Sequence, residues 1–117
     1  MFSSDTKSMQ KETASESLRK YPRKPYKRLI SILYKGQYYT FESIELSEGG
    51  LSFLSDLVLD NGTECIVNLQ IPKGDFVSVR GTIRHSSKIH GQLNIGMSFD
   101  KMAFSNKRQI RSFVAAR

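Results

Sequence analysis

Residues 29–50, LISILYKGQYYTFESIELSEGG, contain the clearest indication of the fold. The first part, residues 29–34, is rich in β-branched and apolar residues and stops at Lys35-Gly36, a candidate hairpin turn. Residues 37–46 resume with aromatic and β-branched residues that favour a strand. We therefore predict two strands that pair as antiparallel neighbours.

The second of these strands ends in a group of residues that could bind a ligand. Gly49 and Gly50 end it sharply and allow a close approach of the backbone to a ligand. Because side chains alternate along a strand, Glu45 and Ser47 are predicted to project from the same face at its end. A carboxylate, a hydroxyl and backbone N–H groups are thus expected to converge there.

A basic segment precedes the first strand. Six of the ten residues 19–28 are cationic and none is acidic. Pro22 and Pro25 oppose a helix, so Arg19 and Arg23 are expected in an extended or irregular arm that can wrap an anion and that contributes little to the core. On its own, the segment is equally consistent with a solvated linker.

The charge distribution supports the anion-binding interpretation. The 117-residue chain has a net charge of +7, of which residues 1–28 carry +5 and residues 29–117 carry +2. A basic arm on a nearly neutral body indicates an anionic partner, which could be a nucleotide, a nucleic acid or an acidic protein surface.

The rest of the chain continues the strand pattern. Residues 65–71 alternate apolar and polar side chains, as do the segments near residues 77–84 and 93–99. Ser105 is a candidate N-cap for a short helix over about residues 105–115, with one apolar face and with Arg111 outside it. About six short strands and a terminal helix predict a mainly antiparallel barrel.

The two polar elements together resemble the signature of the PilZ domain family, RxxxR followed about twenty residues later by [D/N]xSxxG. Arg19-Lys20-Tyr21-Pro22-Arg23 matches the first part. Residues 45–50 match the second part except that Glu45 replaces Asp or Asn. The resemblance covers roughly residues 18–115, including the last strand and the helix.

The resemblance implies an all-β fold, a six-stranded antiparallel barrel, and binding of the bacterial second messenger cyclic di-GMP. Carried over residue by residue, it implies that Arg19 and Arg23 contact phosphates and guanines and that Ser47 and Gly50 line the site. Lys20 and Gly49, inside the two motifs, and Glu45 complete the candidate ligand-binding set. Glu45 keeps the acceptor chemistry of Asp but reaches about one methylene further, which is expected to weaken binding by about 1 to 3 kcal/mol.

Composition limits the other functions. With one cysteine, two histidines and no nucleophilic motif, the sequence predicts neither a metal site nor an enzyme, and no cofactor beyond the ligand. No apolar run approaches a membrane span and the N-terminus lacks a signal-peptide pattern, so we expect a cytoplasmic protein. We expect residues 1–17 to be a flexible tail and residues 18–117 to be one domain.

Three function classes remain. The first is a noncatalytic receptor that relays cyclic di-GMP as a changed surface to an unidentified protein partner, acting as a monomer or weak dimer. The second is a degenerate PilZ-like adaptor that works only through protein contacts, which the Glu45 departure favours. The third is a barrel that binds single-stranded nucleic acid through its basic arm and aromatics such as Tyr21 and Tyr26, although no nucleic-acid partner is expected.

Overall fold

A computed structural model describes residues 21–116 of the chain. The tail expected at residues 1–17, and Arg19 and Lys20 of the basic arm, lie outside the described residues. The described part contains seven strands and a helix, namely β1 (Lys24–Pro25), β2 (Leu29–Tyr34), β3 (Gln37–Ser47), β4 (Gly50–Ser55), β5 (Glu64–Gln70), β6 (Phe76–Ile89), β7 (Gln92–Lys101) and α1 (Phe104–Ala115).

Strands β2 to β7 form the predicted six-stranded antiparallel barrel. Their order is β3-β2-β5-β6-β7-β4, and pairing of β4 with β3 closes it. The predicted β2–β3 hairpin is confirmed, because Tyr34 pairs with Gln37 and the two turn residues Lys35 and Gly36 both have positive φ, 49° and 81°. That backbone is the tight hairpin turn whose twist matches the flanking strands.

The barrel interior is filled by the apolar side chains that the alternation predicted to be buried. Val67, Ile83, Ile95 and Met97 each have no exposed surface, and Phe53 packs among them. Cys65 is also buried, and this burial raises the pKa of its thiol to about 11. The thiol is therefore protonated at neutral pH and serves the core.

The short strand β1 continues the β2 side of β3, past a break in the regular pairing. Lys24 pairs with Leu46 and Pro25 with Glu45, whereas β2 pairs with β3 only as far as Glu42. Between the two pairings, the buried Ser43 hydroxyl accepts a hydrogen bond from the Arg28 N–H at 3.0 Å and lies against the Tyr26 carbonyl. This hydroxyl satisfies backbone groups where the ladder is interrupted.

The expectation that the arm contributes little to the core is wrong for Tyr26. This side chain is only 3% exposed, and its hydroxyl donates to the Gln70 carbonyl at 2.6 Å. Its ring meets Phe113 of α1 edge to face, with centroids 6.1 Å apart. The sequence pattern hid this because Tyr26 is a single apolar side chain among charged neighbours, with no periodicity to indicate burial.

Helix α1 packs against the barrel through Ile110, which has no exposed surface, and partly through Phe113. The prediction of Ser105 as the N-cap is wrong. The N-cap is Ala103, whose carbonyl accepts from the Asn106 and Lys107 N–H groups, and no side chain caps the first turn. The helix thus begins at Phe104, one residue before the serine that the sequence suggested as its cap.

Candidate functional site

The pairing of β1 with β3 brings Arg23, the last residue of the first signature element, beside the second element. Opposite Pro25, Glu45 lies near the end of β3, and Nη1 of Arg23 is 3.4 Å from Oε1 of Glu45. Both side chains are partly exposed, 42% for Arg23 and 37% for Glu45. The structure therefore joins residues that are 22 positions apart in an ion pair that water still reaches.

The β3–β4 turn is built around the Ser47 hydroxyl. Ser47 is 2% exposed, and its Oγ accepts from the Gly49 N–H at 3.1 Å and donates to the Gly50 carbonyl at 3.3 Å. The Gly49 carbonyl in turn accepts from the Phe99 N–H of β7 at 2.9 Å. The hydroxyl thus holds the shape of the turn, and the turn is tied to the neighbouring strand.

Glu45 and Ser47 lie in a part of β3 where the pairing with β4 is regular, with Glu45 opposite Ser52 and Ser47 opposite Gly50. The register shift in this pairing comes earlier, between Ser43 and Glu45. Residues two positions apart on a regular strand project from the same face, so the pairing agrees with the predicted shared face. Ser47 is nonetheless buried, whereas the Glu45 side chain is partly exposed.

Four of the candidate residues line one small cavity. Arg23, Glu45, Ser47 and Gly50 surround about 20 Å³, together with Leu51 and Ser52 of β4. Such a volume holds about one water molecule. The cavity is therefore too small to enclose a nucleotide.

Glu48, between Ser47 and Gly49, makes a doubly hydrogen-bonded ion pair at the turn. Nε and Nη2 of Arg111 donate to its two carboxylate oxygens at 2.9 and 3.0 Å, and only 13% of the Glu48 side chain is exposed. These hydrogen bonds lower the pKa of Glu48 and raise the pKa of Arg111. Sequence reasoning missed this pair, because 63 residues separate its members and no local pattern links them.

Lys24 connects the basic arm to the end of the helix. Its Nζ donates to the carbonyls of Phe113 at 3.2 Å and Ala116 at 2.7 Å, and it lies 4.9 Å from the centre of the Phe113 ring. A cation at the C-terminus of a helix satisfies carbonyls that lack helical partners and complements the helix dipole. Lys24, which is adjacent to Arg23, thus joins the arm to the end of α1.

Residues 21–116 contain neither a metal-binding cluster nor a membrane-spanning helix. No group of three or more His, Cys, Asp or Glu side chains is arranged to hold a metal ion there. The same part of the chain contains no helix long and apolar enough to cross a membrane. Arg19 and Lys20, which the sequence placed in the ligand-binding set, lie outside this part.

Several solved structures share this fold. Bacillus subtilis MotI/DgrA, an inhibitor of motility, matches with a TM-score of 0.73 at 13% identity, over 82% of this chain and 49% of that one. The PilZ domain of Escherichia coli YcgR with cyclic di-GMP matches with a TM-score of 0.68 at 15% identity, over 82% and 88%. Borreliella burgdorferi PlzA in complex with cyclic di-GMP matches with a TM-score of 0.59 at 19% identity, over 85% and 36%.

This chain thus spans about half of the Bacillus protein and about a third of the Borreliella protein. At these identities the likeness shows a shared fold. A comparison with curated protein sequences finds no match.

The sequence profile of the PilZ domain matches residues 17–116, which is most of the chain. Solved structures of this family include complexes with cyclic di-GMP, and its members are generally noncatalytic. The profile, the closed barrel and the meeting of the two signature elements agree, and the chain belongs to the PilZ domain family.

Proposed function

We propose that this chain is a noncatalytic, cytoplasmic receptor for cyclic di-GMP. The observation that carries the proposal is the β1–β3 pairing, which sets Arg23 beside the strand end that bears Glu45 and Ser47. The ligand-binding set is Arg23 with Glu45, Ser47, Gly49 and Gly50, joined by Arg19 and Lys20 from the part of the arm outside the described residues.

The chemistry of the set suits a dianionic ligand that carries guanines. An arginine fork pairs through two parallel hydrogen bonds with a phosphate, or with O6 and N7 of guanine, and its plane stacks on a base. A carboxylate such as that of Glu45 accepts from the N–H groups of guanine. A positive site on a nearly neutral barrel also attracts the ligand before contact.

Glu45 competes with the ligand for Arg23, but only weakly. An exposed ion pair contributes about 0 to 1 kcal/mol, whereas charge-assisted hydrogen bonds contribute about 1.5 to 3 kcal/mol each. Exchange of the Glu45 carboxylate for a phosphate is therefore favourable. We therefore expect the ion pair to weaken cyclic di-GMP binding without abolishing it.

The relay would run through the basic arm. Arg23 is adjacent to Lys24, which bonds the last carbonyls of α1, so closure of the arm over a ligand alters the contacts at the helix end. The exposed face of α1 would then present a changed surface to a protein partner. MotI/DgrA is an inhibitor of motility by its name, and motility or surface attachment is the type of process that we infer for this receptor.

Isothermal titration calorimetry with cyclic di-GMP on the complete chain tests the proposal. We expect saturable heat and a rise in melting temperature at ligand concentrations up to about 100 µM. Absence of both would contradict the receptor function for the protein alone.

The alternative is an adaptor that has lost the nucleotide, which the presence of Glu45 in place of Asp or Asn favours. Glu45→Asp separates the two functions. If this variant binds cyclic di-GMP and the parent does not, the adaptor function is supported. Equal binding by both proteins would mean that Glu45 never disabled the site.

A further inference from the structure

A second and much larger cavity lies beside the same β3–β4 turn. It holds about 390 Å³ and opens between Glu48 and Gly49 of the turn, the outer faces of β6 and β7, and the start of α1. Ligand-binding clefts are commonly about 300 to 1,000 Å³. The cavity therefore has room for a nucleotide base, which the 20 Å³ space at Arg23 does not.

The floor of the cavity carries a guanidinium and a carboxylate on one face of the β6–β7 pair. Arg84 is exposed, and its Nε donates to the Ser98 hydroxyl at 2.8 Å. This contact orients the guanidinium and uses one of its five N–H donors, which leaves the terminal fork for a ligand. Asp100 is exposed and accepts from the Thr82 hydroxyl at 2.9 and 3.0 Å.

A β-bulge explains why the Asp100 side chain lies beside the cavity. Arg80 pairs with Lys101 and Gly81 pairs with Phe99, so Asp100 is the extra residue between these two pairs. Bulges commonly redirect a side chain beside a functional site. The Asp100 carboxylate is thereby set beside the cavity.

The remaining walls suit an anionic aromatic ligand. Tyr21 offers a partly exposed ring, and Lys101 and Lys107 add positive charge. The other carboxylate in the wall, Glu48, is already bonded by Arg111, which reduces its repulsion of an anion. An aromatic face, a guanidinium fork and a carboxylate are the three groups that recognise a guanine.

We propose that this cavity binds one guanine of cyclic di-GMP, with Arg84 and Asp100 as specificity-determining residues. Arg84 pairs with O6 and N7, Asp100 accepts from N1–H and the exocyclic amine, and Tyr21 stacks on the ring. Lys101 and Lys107 attract the phosphates. The inference rests on the proposed function and extends its site from the β3–β4 turn to β6 and β7.

Titration of the complete chain with cyclic di-GMP and with cyclic di-AMP tests it. Asp100→Asn is expected to weaken binding of cyclic di-GMP about tenfold or more. Because adenine lacks the O6 acceptor and the N1–H donor, the variant should also show a smaller preference for cyclic di-GMP over cyclic di-AMP. Arg84→Ala is expected to weaken cyclic di-GMP by a similar factor, and Arg84→Lys, which keeps the charge without the fork, by less.

Lys88→Ala is the matched control, because Lys88 is an exposed cation on the same strand and does not line the cavity. Equal losses in Lys88→Ala and Arg84→Ala would assign the effect to net charge and overturn the inference. Parental affinity and selectivity in both Arg84→Ala and Asp100→Asn would overturn it while leaving the receptor function intact. A parent that binds no cyclic di-GMP overturns both.

Discussion

Arg23 and Tyr26 are three positions apart in the same basic arm, yet one is exposed and the other is buried. Arg23 reaches a partly exposed carboxylate on β3, and Tyr26 is buried against the barrel and α1. We therefore expect the fold to tolerate replacement of Arg23 and to be destabilised by replacement of Tyr26. The functional test of the arm depends on this separation.

We predict that Arg23→Ala removes measurable cyclic di-GMP binding and changes the free energy of unfolding by less than about 1 kcal/mol, because an exposed pair stabilises little. Calorimetry and denaturant unfolding measure the two effects. Lys27→Ala, an exposed cation in the same arm, is the control and should bind like the parent. Tyr26→Ala should instead lose about 3 to 5 kcal/mol of stability. An unfolded Arg23→Ala protein, or one with parental affinity, would contradict this assignment.

Ser47 acts through the turn that it holds. Ser47→Ala leaves the Gly49 N–H without its acceptor, so we predict a loss of about 1 to 3 kcal/mol in stability and a smaller loss of ligand affinity than in Arg23→Ala. Urea unfolding of Ser47→Ala and of Ser105→Ala makes the comparison. Ser105 is exposed and does not cap α1, so its variant should lie within about 0.5 kcal/mol of the parent. Equal stability of the parent and of both variants would contradict a structural role for Ser47.

At the scale of elements, polar contacts along α1 hold the helix to the rest of the fold. In its first half, Asn106 and Gln109 bond to Asp75 in the β5–β6 turn. In its second half, Arg111 bonds Glu48, and Lys24 bonds the final carbonyls. The helix therefore contacts both elements of the proposed site, the arm and the β3–β4 turn.

The contact between Lys24 and the helix end predicts a change in amide hydrogen exchange. In Lys24→Met, the last turn of α1 should exchange about two- to fivefold faster, because a cation at a helix C-terminus contributes about 0.3 to 1 kcal/mol. Cyclic di-GMP should alter exchange in that turn in the parent and less in the variant. Lys27→Met is the control. Helix exchange that ligand leaves unchanged in the parent would rule out this route of relay.

The Glu48–Arg111 pair predicts a pH-dependent part of the stability. The hydrogen bonds from Arg111 lower the pKa of Glu48 in the folded protein below its ordinary value of 4.5. A carboxyl whose pKa is lowered by folding stabilises the protein fully above its unfolded pKa, and this stabilisation is lost as the pH falls through the folded pKa.

The free energies of unfolding of the parent and of Glu48→Gln should therefore differ at neutral pH, and this difference should shrink as the pH falls below about 4.5. Glu42→Gln, which changes an exposed carboxyl on β3, serves as the control. A difference that stays constant with pH would mean that the pair does not stabilise the fold through its charge.

At the scale of the whole molecule, a basic arm is attached to a closed barrel whose surface charge is nearly balanced. The positive excess alone would also attract single-stranded nucleic acid, and binding of that kind weakens steeply as salt is added. A guanine site selects by hydrogen-bond pattern as well as by charge. The two modes can therefore be separated in one experiment.

We predict that the chain binds cyclic di-GMP in preference to short single-stranded oligonucleotides at physiological salt. Fluorescence polarisation with a labelled oligonucleotide, with and without excess cyclic di-GMP, measures the preference. Raising the salt about fourfold should abolish any oligonucleotide signal while leaving calorimetric binding of the dinucleotide detectable. Tight oligonucleotide binding that cyclic di-GMP fails to displace would favour the nucleic-acid function.

The local sequence determined the strands, the hairpin and the terminal helix, because alternation and turn residues act over a few positions. Val67, Ile83 and Ile95 could be assigned to the core in this way, and Lys35-Gly36 to a turn. The family also followed from the sequence, since the order and spacing of the two signature elements are linear properties. Arg23, Glu45 and Ser47 could be selected before any geometry was known.

Only the tertiary structure decided which side chains meet. The Arg23–Glu45 contact depends on the β1–β3 register, and the Glu48–Arg111 pair joins residues 63 positions apart. The place of Asp100 depends on a bulge between β6 and β7, and a single inserted residue there leaves no periodic mark in the sequence. Burial of Tyr26 likewise requires α1 to pack beside the arm. Contacts of this kind arise from strand register and chain closure, which short-range patterns do not encode.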